Sequence, residues 1–387
     1  MHNDLVWDES SSGEPRQRGV WRHLCGVILM ALLLVVASYI TAGAQTQPRA
    51  YVANRCNGTV SVIDLATGAV SATIPVGDSP LGVGPVEVAI TPDGTRVYVT
   101  NQGADTVFVI DTATNTVSAT ISVGDAPFAV TITPDGTRAY VTNAASASIS
   151  VIDTATNTVI TTIPVGLGPV GVAISPDGTR AYVTNQASGS VSVINTATNT
   201  VIATIPVGSA PFGVAITPDG TRAYVTNQGS DAVSVIDLAS NTVSASISVG
   251  DAPVGVAITP DGTRAYVTNI SSNTVSVIDT ATNTVITTIP VGFSPFGVAI
   301  TPDGTRVYVA NGASYTVSVI DTATNTISAT IAGVICPAGI AITPQARVPL
   351  SIEECKNGGW RTFGPPAGPF RNQGECVSYV KNKSKNR

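Results

Sequence analysis

The chain has 387 residues, and its 19 Lys and Arg against 25 Asp and Glu give a formal net charge of −6. Only 11% of residues are charged and 5% aromatic, so there is no basic face for nucleic acid, and the wealth of Val, Thr, Ile, Ala and Gly describes an all-β chain, not a disordered one. The two histidines, His2 and His23, precede residue 24, so everything after them does without the imidazole that Ser-His-Asp catalysis, histidine–metal sites and haem ligation require.

Residues 1–19 are mostly polar and mixed in charge. Arg16, Arg18 and Arg22 then precede an apolar run at 24–40 and the small residues Ala42, Gly43 and Ala44. Basic segment, apolar segment and small-residue site come in the order of a secretory signal. The reading is a signal peptide over 1–44, cut after Ala44, with an uncleaved signal anchor as the alternative because the run nears the shortest that spans a bilayer. No later apolar segment is long enough to cross, so the rest is expected to be exported and soluble, without a transmembrane segment.

From residue 45 the chain is periodic. A tyrosine recurs as Tyr51, Tyr98, Tyr140, Tyr182, Tyr224, Tyr266 and Tyr308, with a first step of 47 residues and every later step of 42. A fixed period of this size is the mark of a repeat architecture. The unit at 254–292 shows four apolar, β-branched bursts, at 256–259, 265–268, 275–278 and 285–291. Such residues pack well on a pleated surface. Pro-Asp-Gly at 260–262 makes a tight turn between the first two bursts, since proline presets φ and glycine supplies a positive φ. DTATN at 279–283 closes the last pair with side chains that bond their own backbone. No window has a 3.6-residue period. Each unit is therefore a four-stranded antiparallel meander, with strands A to D in order.

A lone meander would expose both apolar faces. Radial stacking of blades buries both, as in a β-propeller; the rival is a stacked β-solenoid, which the tight A–B hairpin disfavours. The ends of the chain agree. The repeats open with B, C and D at Tyr51, 60–64 and 70–76 without an A, and close with an extra A at 339–343. Together they complete one blade, which predicts a seven-bladed ring, all-β, over 45–349, expected to be monomeric.

The string AYVTN…TVSVIDTATNTV…IPVG…GVAITPDGT resembles the YVTN-type β-propeller repeat of bacterial and archaeal cell-surface and surface-layer proteins. The resemblance spans roughly residues 49–349 and implies a secreted or surface-displayed protein, in a family whose members mostly have no assigned biochemical activity.

The first blade departs from the rest. It carries an insertion at 78–85, which includes Leu81, and Cys56 after strand B; Cys336 precedes the closing A strand. Antiparallel A and B strands bring the start of A beside the end of B, so ring closure predicts a Cys56–Cys336 disulfide, permitted in an exported protein. Two free thiols are the alternative. After residue 349 the composition changes, and CKNGGWRTF…PFRNQGECVSYV at 350–387 resembles a short C-terminal module found on assorted secreted bacterial proteins. The resemblance implies paired cysteines, here Cys355 and Cys376, and a segment this short is expected to need such a staple. The basic tail could dock on the acidic propeller or on an anionic wall polymer, or be an ordinary soluble tail. Cys25 falls in the leader, which leaves an even four.

Between 45 and 349 there is no lysine and one glutamate, Glu87. The arginine after each Pro-Asp-Gly-Thr (Arg96, Arg138, Arg180, Arg222, Arg264, Arg306) reads as one half of a structural Asp–Arg device repeated in each blade. The aspartates of VSVID and Pro-Asp-Gly open turns, which explains them without catalysis. Calcium at these loops is conceivable on ligand type alone, but the EF-hand spacing is absent, and no cofactor is expected.

The A–B and C–D turns hardly vary, whereas the B–C loops (102–105, 144–147, 186–189, 228–231, 270–273, 312–315) and the D–A loops do. In a meander both variable sets fall on one face of the ring. Variable loops on a rigid scaffold are where binding sits, and apolar residues gather there: Leu81, Phe128, Leu167, Phe212, Phe293, Phe296 and Tyr315. These are the candidate binding face. Phe128, Phe212 and Phe296 have a second reading, as a plug in the channel mouth where Val170 and Val254 stand in other blades. The resulting expectation is a non-enzymatic binding scaffold for a protein or glycan at the cell surface. Two alternatives remain: a propeller enzyme of lactonase or dehydrogenase type, disfavoured by the missing histidines, and an architectural surface-coat protein.

Overall fold

Short β-branched runs separated by turn residues that favour positive φ leave the chain one option, the antiparallel hairpin, and in the computed structural model the described residues form 28 strands in seven four-stranded sheets. It describes residues 48–77, 84–344, 355–356 and 373–385. Blade 1 is β1 (Arg49–Asn54), β2 (Thr59–Asp64), β3 (Ala69–Pro75) and β28 (Pro337–Ile342), paired in the order β28-β1-β2-β3. Blade 2 runs from β4 (Pro85–Ile90) to β7 (Thr116–Ser122) and blade 3 from β8 (Pro127–Ile132) to β11 (Thr158–Pro164). Blades 4 to 7 begin at β12 (Pro169–Ile174), β16 (Pro211–Ile216), β20 (Pro253–Ile258) and β24 (Pro295–Ile300). The predicted division of one blade between the two ends of the chain is present as drawn from the sequence.

The A strands β28, β4, β8, β12, β16, β20 and β24 neighbour one another in a closed circle and line the channel, while the D strands are outermost and alternate between half-buried and exposed. Each apolar core lies between two blades. Tyr266, Val275, Val277 and Ile289 of blade 6, for example, pack on Val307, Val309 and Ile320 of blade 7. This is why the meander needs copies of itself, since each fully buried aliphatic side chain contributes about 1.5–3 kcal/mol.

The repeat letters acquire separate jobs, and three of them reach into the next blade. At five seams the tyrosine hydroxyl donates to the C–D turn asparagine, as Tyr266 Oη to Asn325 Oδ1 at 2.9 Å, while Tyr182 and Asn241 do not make the bond; Asn325 sits at φ 54°, which Asn tolerates better than most residues. The arginine donates to a carbonyl of the same turn, as Arg138 Nη1 to Thr196 O at 2.8 Å. The threonine of YVTN accepts from its own A strand and donates onward: Gly255 N gives to Thr268 Oγ1 at 2.8 Å, and Thr268 Oγ1 gives to Phe296 O at 2.7 Å.

The expected Asp–Arg device is therefore two devices. The aspartates hold their own turns, with Asp261 Oδ1 accepting from Thr259 Oγ1 (2.6 Å) and Thr263 N (3.0 Å), and the arginines tie blades together. Hydrogen bonds from neighbouring N–H and hydroxyl groups hold the turn carboxyls below their usual pKa, as for Asp279 with Thr282 and Asp261 with Thr259; burial opposes this, and at Asp93, Asp135 and Asp303 it is the largest single influence, though the net shift is still downward.

Cys56 and Cys336 are bonded across a sequence separation of 280 with Cα atoms 5.6 Å apart. The same junction holds backbone bonds from Arg55 N to Cys336 O (3.1 Å) and from Thr343 N to Arg49 O (2.8 Å). Residues Gln47–Gln345 form one compact unit. In the C-terminal segment Cys355 is bonded to Cys376, which lies on α1 (Gln373–Lys385), a helix that the reading of the sequence did not include.

Candidate functional site

On the variable face, D–A and B–C loops of one blade are sewn together. Ala144 N donates to Ala126 O (3.0 Å), Gln228 N to Ala210 O (3.0 Å) and Gly312 N to Ser294 O (2.9 Å). The asparagine that ends each B strand is buried beneath the D–A loop, and the glycine of IPVG is needed above it: a Cβ on Gly292 would lie 2.7 Å from the Asn311 side chain. The face is thus a set of rigid loop pairs.

In blade 7 these loops carry Phe293 and Tyr315, 66% and 52% exposed. Phe293 N donates to Ser314 Oγ at 2.6 Å, Ala313 N to Phe293 O at 3.1 Å, and Tyr315 sits at φ 56°. An apolar ring held in water by a braced backbone has no packing reason to be there. Ile335, 47% exposed, occupies the position of Phe293 in the adjoining blade 1 and extends this apolar sector; the sequence hint was the equivalent place in the repeat, beside Cys336. Leu167 is 64% exposed but belongs to blade 4, away from that sector. Leu81 lies outside the described residues. Elsewhere the rim is acidic, with Asp105 Oδ1 taking Ala126 N and Asp231 Oδ1 taking Ala252 N, each at 2.8 Å.

Phe128, Phe212 and Phe296 project from alternate A strands into the channel, where Phe212 meets each of the other two edge to face and Phe128 and Phe296 are tilted against each other. Ring centroids are 5.3 Å (128–212), 5.6 Å (212–296) and 6.3 Å (128–296) apart. They border a cavity of about 190 Å³ whose walls include Val170, Val254 and Glu87. Glu87 is the residue that reading the sequence noticed and did not use. It stands where the other inner strands have Gly171, Gly213, Gly255, Gly297 and Gly339, or Ala129, and aligning PVEVAI with PVGVAI would have marked it as the one carboxylate facing the channel. Loss of water around it pushes its pKa up to about 7, opposed only by a bond from Val88 N at 3.2 Å.

For the calcium expectation, the described residues contain no group of three or more His, Cys, Asp or Glu able to hold a metal ion. Among the described residues no helix is long and apolar enough to cross a membrane.

Ring, channel and rim together define a β-propeller repeat protein. Segments of the chain match three family models: a YNCE-like β-propeller over 257–354, a choice-of-anchor I domain over 54–213, and a lactonase, seven-bladed β-propeller, over 153–285. Comparison with curated proteins finds no match. Among solved structures the chain is similar to hydrazine synthase of Kuenenia stuttgartiensis, with 26% identity and a TM-score of 0.61 over 66% of this chain and 88% of that one. It is also similar to a functionally unknown protein of Desulfotomaculum acetoxidans, with 21% identity and a TM-score of 0.68 over 76% of this chain and 99% of that one, a likeness of fold.

Proposed function

We propose that this protein is an exported, YVTN-type binding scaffold, a rigid ring that presents the B–C and D–A loops to a protein or glycan partner at the cell surface. The observation that carries the reading is the pair Phe293 and Tyr315, exposed yet held by a hydrogen-bonded loop pair. The signal-like leader, the two disulfides and the cysteine-paired tail support export. The test is a glycan and protein array probed with the protein and its Phe293→Ala/Tyr315→Ala variant. A specific partner whose binding weakens about tenfold or more in the variant supports the reading; a partner bound equally well by the variant overturns this face assignment.

A second reading, lactone hydrolysis, draws on the lactonase match over 153–285. The inner strands in that segment line the channel with Val, Phe, Gly and Ala, so the reading would depend on Glu87, outside the match. Turnover of simple lactones by the wild type, lost in Glu87→Gln, would establish it.

A further inference from the structure

The threonine relay that ties each inner strand to the next is present at five of the seven seams. Thr100, Thr142, Thr184, Thr226 and Thr268 donate to the carbonyls of Phe128, Val170, Phe212, Val254 and Phe296 at 2.6–2.9 Å. At the other two seams the position is Ala53 or Ala310. Val86 O and Ala338 O are therefore the inner-strand carbonyls to which no threonine hydroxyl points.

Glu87 lies beside the first of these. A Cβ on Gly339 would sit 2.7 Å from Val86 O and 2.5 Å from Glu87 Oε1, so carboxyl and carbonyl crowd one point across the seam between blades 1 and 2. The Ala338 carbonyl comes within 2.4 Å of a Cβ built on Gly297, a residue of the cavity wall. Ala53 removes both the donor to Val86 O and the hydroxyl acceptor that the Gly339 N–H would have had, and the glutamate places a carboxyl at that point. The donor shown for the carboxyl is Val88 N–H, and buried acceptors left short of donors are costly. The rest of the cavity is valine, glycine, Ala129 and three phenylalanines. Below the rings the inner strands are half-exposed from their third residue onward, as in β12, so solvent reaches the channel.

A single carboxylate inside apolar and aromatic walls selects a cation with N–H donors and a short hydrocarbon body. We propose that the channel is a binding site for a primary alkylammonium, with its –NH₃⁺ on Glu87 and its alkyl chain against Phe128, Phe212, Phe296 and Val254. The desolvation that raises the carboxyl to about 7 is offset by the opposite charge of such a cation. A quaternary ammonium brings charge without N–H donors, and an alcohol brings a donor without charge, so both fit worse.

The test is calorimetric titration of the full-length protein at pH 8 with n-butylammonium, n-butanol and tetramethylammonium. Saturable one-to-one binding of n-butylammonium is expected, with the other two at least about tenfold weaker. Glu87→Gln and Glu87→Gly should each lose it by a similar factor. Glu87→Gly installs the residue that five other inner strands already carry, and circular dichroism verifies that the ring is intact. Absence of saturable n-butylammonium binding by the wild type, equal binding of n-butanol, or undiminished binding by the folded Glu87→Gly variant overturns the proposal and leaves Glu87 as a protonated donor to the carbonyls around it.

Discussion

The seam between blades 6 and 7 and the seam between blades 7 and 1 solve one problem in two ways. At the first, Arg264 reaches Thr322 O (2.5 Å), Tyr266 reaches Asn325 (2.9 Å) and Thr268 reaches Phe296 O (2.7 Å). At the second, the tyrosine is Tyr308, but Gly68 stands where the asparagine should be and Ala310 where the threonine should be. Neither can supply the polar bond. Apolar packing takes over: Leu65, Ala310 and Val334 join Tyr308, Val317, Val319 and Ile331 in a larger buried cluster than the one between blades 6 and 7. The adjoining blade 1, which is made from both ends of the chain, is then pinned by the Cys56–Cys336 bond. The repeat consensus is a set of directional bonds between blades, and where the chain ends interrupt it, burial and a covalent link substitute.

The most damaging way to break this contrast is to remove the link. Cys56→Ser/Cys336→Ser should lower stability by about 2–5 kcal/mol, because the cross-link closes a very long loop in the unfolded chain. Thermal unfolding with and without reductant measures it, and native-state hydrogen exchange should show β28 opening first in the variant. A variant that melts with the wild type would mean that packing alone closes the ring.

Smaller, and more diagnostic, is the matched pair Tyr266→Phe and Tyr308→Phe. The first leaves the Asn325 amide oxygen without its donor and should cost about 1–2 kcal/mol. The second faces Gly68 and should cost only a few tenths of that, because no side chain is there to lose. Urea denaturation of both compares the seams directly, and equal losses would refute the latch assignment.

The subtlest effect is in pH. The turn aspartates have depressed pKa values in the folded state, so their contribution is present above the unfolded carboxylate range and fades as pH falls through the lower folded values. Glu87 has the opposite sign. Its folded value is raised from 4.5 to about 7, so the folded state holds a proton that the unfolded state releases, and stability declines as pH rises from about 4.5 to about 7. Glu87→Gly should flatten that decline while leaving the acid limb unchanged, which a series of melting temperatures from pH 3 to 8 would show.

Local order in this protein is set by local chemistry, and it was legible. Strand bursts, Pro-Asp-Gly and DTATN turns and the 42-residue period determine the blade, and the count of A strands at the two ends determines closure and hence the Cys56–Cys336 pairing. Period and topology carry that information because each blade pairs its own strands and packs its core on the adjacent blades. What the tertiary structure decided is where side chains from different blades meet. Arg96, Tyr98 and Thr100 look like features of one strand, yet their partners lie in the next blade, at Thr154 O, Asn157 and Phe128 O. Phe128, Phe212 and Phe296 sit two repeats apart in sequence and touch only because the ring brings alternate blades to one axis. Glu87 is an unremarkable acidic residue along the chain, and becomes a half-buried carboxyl of raised pKa only when the other inner strands close around it and take away part of its water.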